Sequence, residues 1–91
     1  MNWKWTLKLK DLFEKYDDDD LSVEAVAEEA CKRLEALPQE AQRALEENGY
    51  MSFEELTDMV QNCIYLDDFN SALDELREAA DVDKTLWVET Q

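Results

Sequence analysis

Histidine is absent from this chain, and glycine and proline occur once each, as Gly49 and Pro38. Without histidine there is no imidazole metal ligand and no ordinary general base at neutral pH. With a single glycine no phosphate-cradling loop can be built. The two cysteines, Cys31 and Cys63, are too few for a disulfide framework. Neither has an evident base beside it to make it a nucleophile. No apolar run approaches a membrane span, and the N-terminus alternates tryptophan with lysine where a secretory signal would be continuously apolar. These absences predict a cytoplasmic protein with reduced thiols. They also predict that it is not an enzyme and has no catalytic residue, cofactor or metal.

Basic residues are scarce too. Nine lysines and arginines face 24 aspartates and glutamates, for a net charge of −15. Solubility asks for a magnitude of only about 2 to 8 in a small domain, and the surplus costs stability through self-repulsion. Such a charge repels nucleic acid and anionic membranes. It favours a basic partner, cations, or a salt-rich cytoplasm.

What is present argues for folding. Hydrophobic residues make up 45% of the chain, with three each of Trp, Tyr and Phe, which a disordered acidic segment would lack. The length suits one domain, 1–91, with one modest core.

Trp3, Trp5, Leu7 and Leu9 alternate with Lys4, Thr6 and Lys8, the period of a strand with one buried face. Asp17, Asp18, Asp19 and Asp20 form a run of like charge that reads as a loop. Ser22 then predicts a helix start. The apolar residues from Val23 through Val26, Ala27, Ala30, Leu34 and Leu37 recur at helical spacing, and Cys31 falls on the same stripe. Glu28 with Lys32 and Glu29 with Arg33 are favourable pairs one turn apart. Pro38 ends this helix and opens a short one to about residue 47.

Residues 48–58, NGYMSFEELTD, resemble the tail of an EF-hand loop. With Gly49 at loop position 6, however, Ala44 falls where the first carboxylate belongs, and no second loop pairs with it. One helix stopping and another starting accounts for the segment. Asn48-Gly49 is a helix-stop signal that uses the left-handed freedom of glycine. Ser52 with Glu55 is a capping box, flanked by Met51 and Leu56 as a hydrophobic staple. Phe53, Leu56, Met59, Val60, Cys63 and Ile64 continue that helix.

Asp67 is placed to cap the last helix, 67–80, with Phe69, Ala72, Leu73, Leu76, Ala79 and Ala80 buried. A second strand fits residues 85–89, with either Leu86 and Val88 or Thr85, Trp87 and Glu89 inward. Neither strand is stable alone, so the chain ends are expected to pair. The expected fold is α+β and mostly helical: strand, four helices, strand. Trp3, Trp5 and Trp87 would fill the contact between ribbon and helices.

This outline is similar to that of small bacterial and phage proteins. The matching features are the W-K-W-x-x-K-x-K strand, here Trp3 to Lys10, and a closing segment carrying Leu73, Leu76, Ala79, Trp87 and Val88. The resemblance covers the two ends of the chain and implies the fold and a phage origin, hence a location in the bacterial host. It implies no activity. Acyl carriers are also small, acidic and helical. Here the nearest serine for modification, Ser71, lies too late in the chain and inside a helix.

Charge distribution is left as the guide to function. Residues 1–16 hold four bases and two acids, net +2; residues 17–91 hold five and 22, net −17; together they give the −15 of the chain. The acids are densest at Asp58, Asp67, Asp68, Asp74, Glu75, Glu78, Asp81 and Asp83, with Asp17 to Asp20, Glu46, Glu47 and Glu54 as a secondary set. On one helix, carboxylates a turn apart stand about 5 to 6 Å from each other. Phosphates on one DNA strand advance about 3.4 Å per nucleotide. A rigid acidic face can therefore imitate a phosphate row. In size and charge the chain resembles small acidic inhibitors of restriction or CRISPR complexes.

The expected function is thus a non-catalytic nucleic-acid mimic that docks on a basic nucleic-acid-binding protein, acting as a monomer or homodimer without itself touching nucleic acid or membrane. Two alternatives stand beside it. One is an interaction or oligomerisation module using the Trp-rich ribbon. The other is a generic acidic protein of a halophilic host.

Overall fold

The computed structural model describes residues 3–91. Its order is β1 (Trp5–Lys8), α1 (Lys10–Asp17), α2 (Val23–Glu35), α3 (Gln39–Asn48), α4 (Phe53–Gln61), α5 (Leu66–Asp81) and β2 (Leu86–Glu89). The chain ends pair as expected, in parallel, with Trp5 opposite Leu86 and Lys8 opposite Glu89. A parallel pair needs a crossover connection, and here the whole helical body supplies it. No described helix is long and apolar enough to cross a membrane.

Among the described residues, five helices replace the expected four. The additional one, α1, follows β1 directly. Its apolar residues Leu9, Leu12, Phe13 and Tyr16 have helical spacing, with Leu9 and Leu12 fully buried. Leu9 ends the strand ladder through its N–H to the Glu89 carbonyl, 2.8 Å, and is also the N-cap of α1. Asp19, at φ 61°, turns the chain out of α1, and the N–H groups of Asp20 and Leu21 close on the Lys15 carbonyl. Aspartate is among the few residues that take this left-handed conformation readily.

Two caps form as the sequence predicts. Ser22 accepts the Ala25 N–H at 3.3 Å, and Ser52 accepts the Glu55 N–H at 3.2 Å. In the second, the free Phe53 N–H goes to Glu46, at 3.0 Å, which ties α3 to the start of α4. The last helix begins earlier than expected. Its N-cap is Tyr65, with no side-chain cap, so Asp67 lies in the first turn and acts on the helix dipole instead.

Gly49 does not adopt the left-handed conformation expected of it; its φ is −101° and its ψ 178°. Glycine is needed there for space. A Cβ at this position would stand 3.0 Å from the Leu45 carbonyl oxygen and 3.4 Å from the Ala79 Cβ. The tighter of these contacts is with the last turn of α3 itself, so a side chain at 49 would crowd the end of its own helix.

The core joins the ribbon to all five helices through Leu7, Leu9, Leu86 and Val88 on one side and Leu12, Leu34, Leu45, Val60, Phe69, Leu73 and Leu76 on the other. The tryptophans do not fill this contact as expected. Because Leu86 and Val88 point inward, the period of two turns Trp87 outward, where it is 40% exposed. Trp3, ahead of the strand, stacks on it with ring centroids 5.6 Å apart. Only Trp5 packs, half-buried, against the core.

Arg33 on α2 locks the ribbon end of the molecule. Its guanidinium grips Asp11 of α1 with two bonds, 2.7 and 2.8 Å, and donates to the Lys8 carbonyl at 2.6 Å. The hydrogen bond from Arg33 holds the Asp11 carboxyl down, at about 2 instead of the usual 3.8. Its contribution to stability is therefore complete above about pH 4 and is lost as the pH falls toward about 2. The pair is half-exposed, so solvent screening limits it to about 1 kcal/mol. Urea unfolding of Asp11→Asn beside the wild type should show that gap at neutral pH and see it close in the acid range. A gap that widened on acidification would contradict the assignment.

Candidate functional site: an acidic side built on α3, α4 and α5

Burial of Phe69, Ala72, Leu73, Leu76, Ala79 and Ala80 leaves the opposite side of α5 in solvent. Asp67, Asp74, Glu78 and Asp81 lie along the middle of that exposed side, Asp68 and Glu75 lie on one shoulder, and all six are exposed. From Asp67 to Asp81 the row runs about 21 Å along the helix axis. A groove between α4 and α5 brings Asp58 to the same surface, beside Asp68 and Ser71. A second groove, of about 370 Å³, lies between α5 and the α3–α4 turn and has Glu75 and Glu78 on its wall.

Two of the eight leading acids are neutralised locally. Asp74 pairs with Arg77 at 3.2 Å, and Asp81 pairs with Lys84. Asp83 accepts the hydroxyl of the buried Thr85 and so helps shape the turn before β2. Asp58, Asp67, Asp68, Glu75 and Glu78 have no lysine or arginine within 4.0 Å among the described residues.

The secondary set divides. Glu46 is engaged in holding α4, as described above, while Glu47 and Glu54 are exposed close to it in the chain. Asp17 to Asp20 are exposed at the end of α1 and in the turn that follows, apart from the α5 row in the chain.

The distribution of bases sharpens the picture. Residues 44–76 contain no lysine or arginine. Most of the cations lie on β1, α1 and α2, where Lys10 pairs with Glu14, Lys32 with Glu28, and Arg33 with Asp11 and Glu29. A helix C-terminus carries partial negative charge and is stabilised by nearby cations. α2 follows this rule, with Lys32 and Arg33 in its last turn, whereas α1 has Lys15 there but ends on Asp17 and runs into Asp18, Asp19 and Asp20. α3, α4 and α5 have no base in the last turn. Glu46 and Glu47 instead end α3, and Glu78 and Asp81 end α5. Acids at these positions work against the stability of their own helices.

The two thiols are held by neighbouring acceptors. Cys31 donates weakly to the Thr57 carbonyl at 3.6 Å and to Glu35 at 3.8 Å; Cys63 donates to the Met59 carbonyl at 3.1 Å. Both are buried, and burial pushes each thiol above its ordinary pKa, helped by the charge of Glu35 at Cys31 and of Asp68 at Cys63. Among the described residues, no three metal-ligating side chains come together.

No protein family, curated protein or solved structure matches this chain.

Proposed function

We propose that the protein is a non-catalytic inhibitor that offers its α3–α5 side to a basic nucleic-acid-binding protein in place of a phosphate backbone. One observation carries this reading: residues 44–76 hold no lysine or arginine, and Asp58, Asp67, Asp68, Glu75 and Glu78 have no cation within 4.0 Å among the described residues, while Asp11, Glu14, Glu28 and Glu29 of α1 and α2 are ion-paired. A feature held against the stability of the fold points to a use outside it. A generically acidic halophilic surface would have no reason to favour one side.

Binding of this kind displaces counterions from the partner's cationic groove and weakens steeply with salt. The test is displacement of a labelled DNA duplex from a panel of restriction endonucleases and CRISPR effector complexes at rising NaCl. Displacement should occur near about 50 mM salt and weaken at least about tenfold by about 200 mM. Inhibition indifferent to ionic strength, or none across the panel, would count against the proposal.

A second reading draws on the exposed Trp3–Trp87 stack, over which Lys84 sits 4.7 Å from the Trp3 ring centroid. A partner strand could add at the ribbon edge there. Trp87→Ser separates the two, since duplex displacement by the acidic side should survive it.

A further inference from the structure

We infer that the groove between the α3–α4 turn and α5 is a socket for one arginine side chain projecting from the basic partner, an inference that rests on the acidic-side reading and gives it a point of specificity. The groove is shaped by what is missing from it. Gly49 has no side chain and Ala79 a minimal one, and these two face each other across the approach of α3 to α5. Leu45 and Met51 supply further apolar lining. Glu75 and Glu78, three residues apart on α5, present carboxylates at the wall, with no described cation within 4.0 Å of either. Tyr50 lines the same groove and is 94% exposed, the most exposed large hydrophobic residue described.

An apolar lining, a pair of carboxylates and an accessible phenol ring together match the parts of one side chain. The aliphatic stem of arginine covers apolar surface. Its weakly hydrated, planar guanidinium stacks on an aromatic face and forks onto carboxylates. Lysine has the charge and the stem, but its compact ammonium is more strongly hydrated and cannot stack as a plane. An anionic ligand would meet the two glutamates, and an apolar segment would strip them of water without compensation.

The test uses acetylated arginine and lysine hexapeptides of equal charge, titrated at low salt into isotope-labelled protein and followed by NMR. The arginine peptide should bind about threefold or more tightly than the lysine peptide. Its shifts should centre on Leu45, Gly49, Tyr50, Met51 and Ala79. Tyr50→Ser, at a position too exposed to affect folding, should reduce the arginine peptide to the affinity of the lysine one. Equal affinities with shifts spread along all the acids would overturn the socket and leave the acidic-side reading intact. Groove shifts that arise from protein concentration alone would assign the groove to a second copy and also overturn it. If instead the arginine peptide seats as described but the protein displaces no duplex from any partner, the socket stands and the phosphate-mimic reading fails.

Discussion

Phe69→Ala is expected to cost the protein half or more of its stability. Phe69 is fully buried on α5, and its ring lies 5.7 Å from that of Phe13 on α1, so it joins the last helix to the first. Emptying such a site costs about 3 to 5 kcal/mol, through lost transfer energy and the cavity left behind. A domain of this size holds roughly 5 to 14 kcal/mol in total. Self-repulsion at a net charge of −15 draws this one toward the lower end. The loss is then half or more of what holds the fold. Urea unfolding followed by far-UV circular dichroism should show the midpoint falling by at least half, with partial recovery in added NaCl as the repulsion is screened. A much smaller fall would mean that the core does not close around this ring.

The residues that made the fold legible are those whose signals are local. Ser22 and Ser52 announce helix starts because a serine hydroxyl satisfies an N–H only three residues on. Alternation from Trp3 to Leu9 identifies the buried face of β1 because period two needs no tertiary information. α1 escaped because it is eight residues long, has no side-chain cap at Leu9, and runs into the tetra-aspartate turn. Its stripe from Leu9 to Tyr16 was present, and begins on a residue that also continues the strand alternation. For β2, alternation left two faces open, and only packing on the helices decides for Leu86 and Val88.

The acidic side was legible for a similar reason. Once the buried stripe of α5 is known, the exposed positions of Asp67, Asp74, Glu78 and Asp81 follow from helix geometry. Two features were not legible. The Asp11–Arg33 clamp joins residues 22 apart and depends on how α1 lies against α2. The groove at Tyr50 depends on how closely α3 meets α5. Gly49 reads in the sequence as a left-handed turn residue because the Leu45 carbonyl that crowds its Cβ position is set only by the folded chain.

Charge reversal on α4 and α5 should move binding and stability in opposite directions. The variant Asp58→Lys, Glu75→Lys, Glu78→Lys replaces three acids with no described ion-pair partner, the first of them in the last turn of α4, and shifts the net charge by six, from −15 to −9. If these carboxylates occupy phosphate positions on a basic partner, each reversal removes an attraction and adds a repulsion. Inhibition should fall by roughly a thousandfold or more, and the salt dependence of what remains should flatten by about one unit of slope per site. Folding should not suffer. Lysine at position 78 suits the C-terminal end of α5, and the lower charge eases self-repulsion, so the melting temperature should stay level or rise. The control reverses Glu14, Glu24 and Glu28, exposed on α1 and α2, for the same change in net charge. There the acids pair with Lys10 and Lys32 or sit in the first turn of α2, so reversal should cost stability and leave inhibition within about tenfold of the wild type. Equal losses of inhibition in both variants would mean that total charge acts without regard to its placement, and the α3–α5 side would lose its claim to be the binding surface.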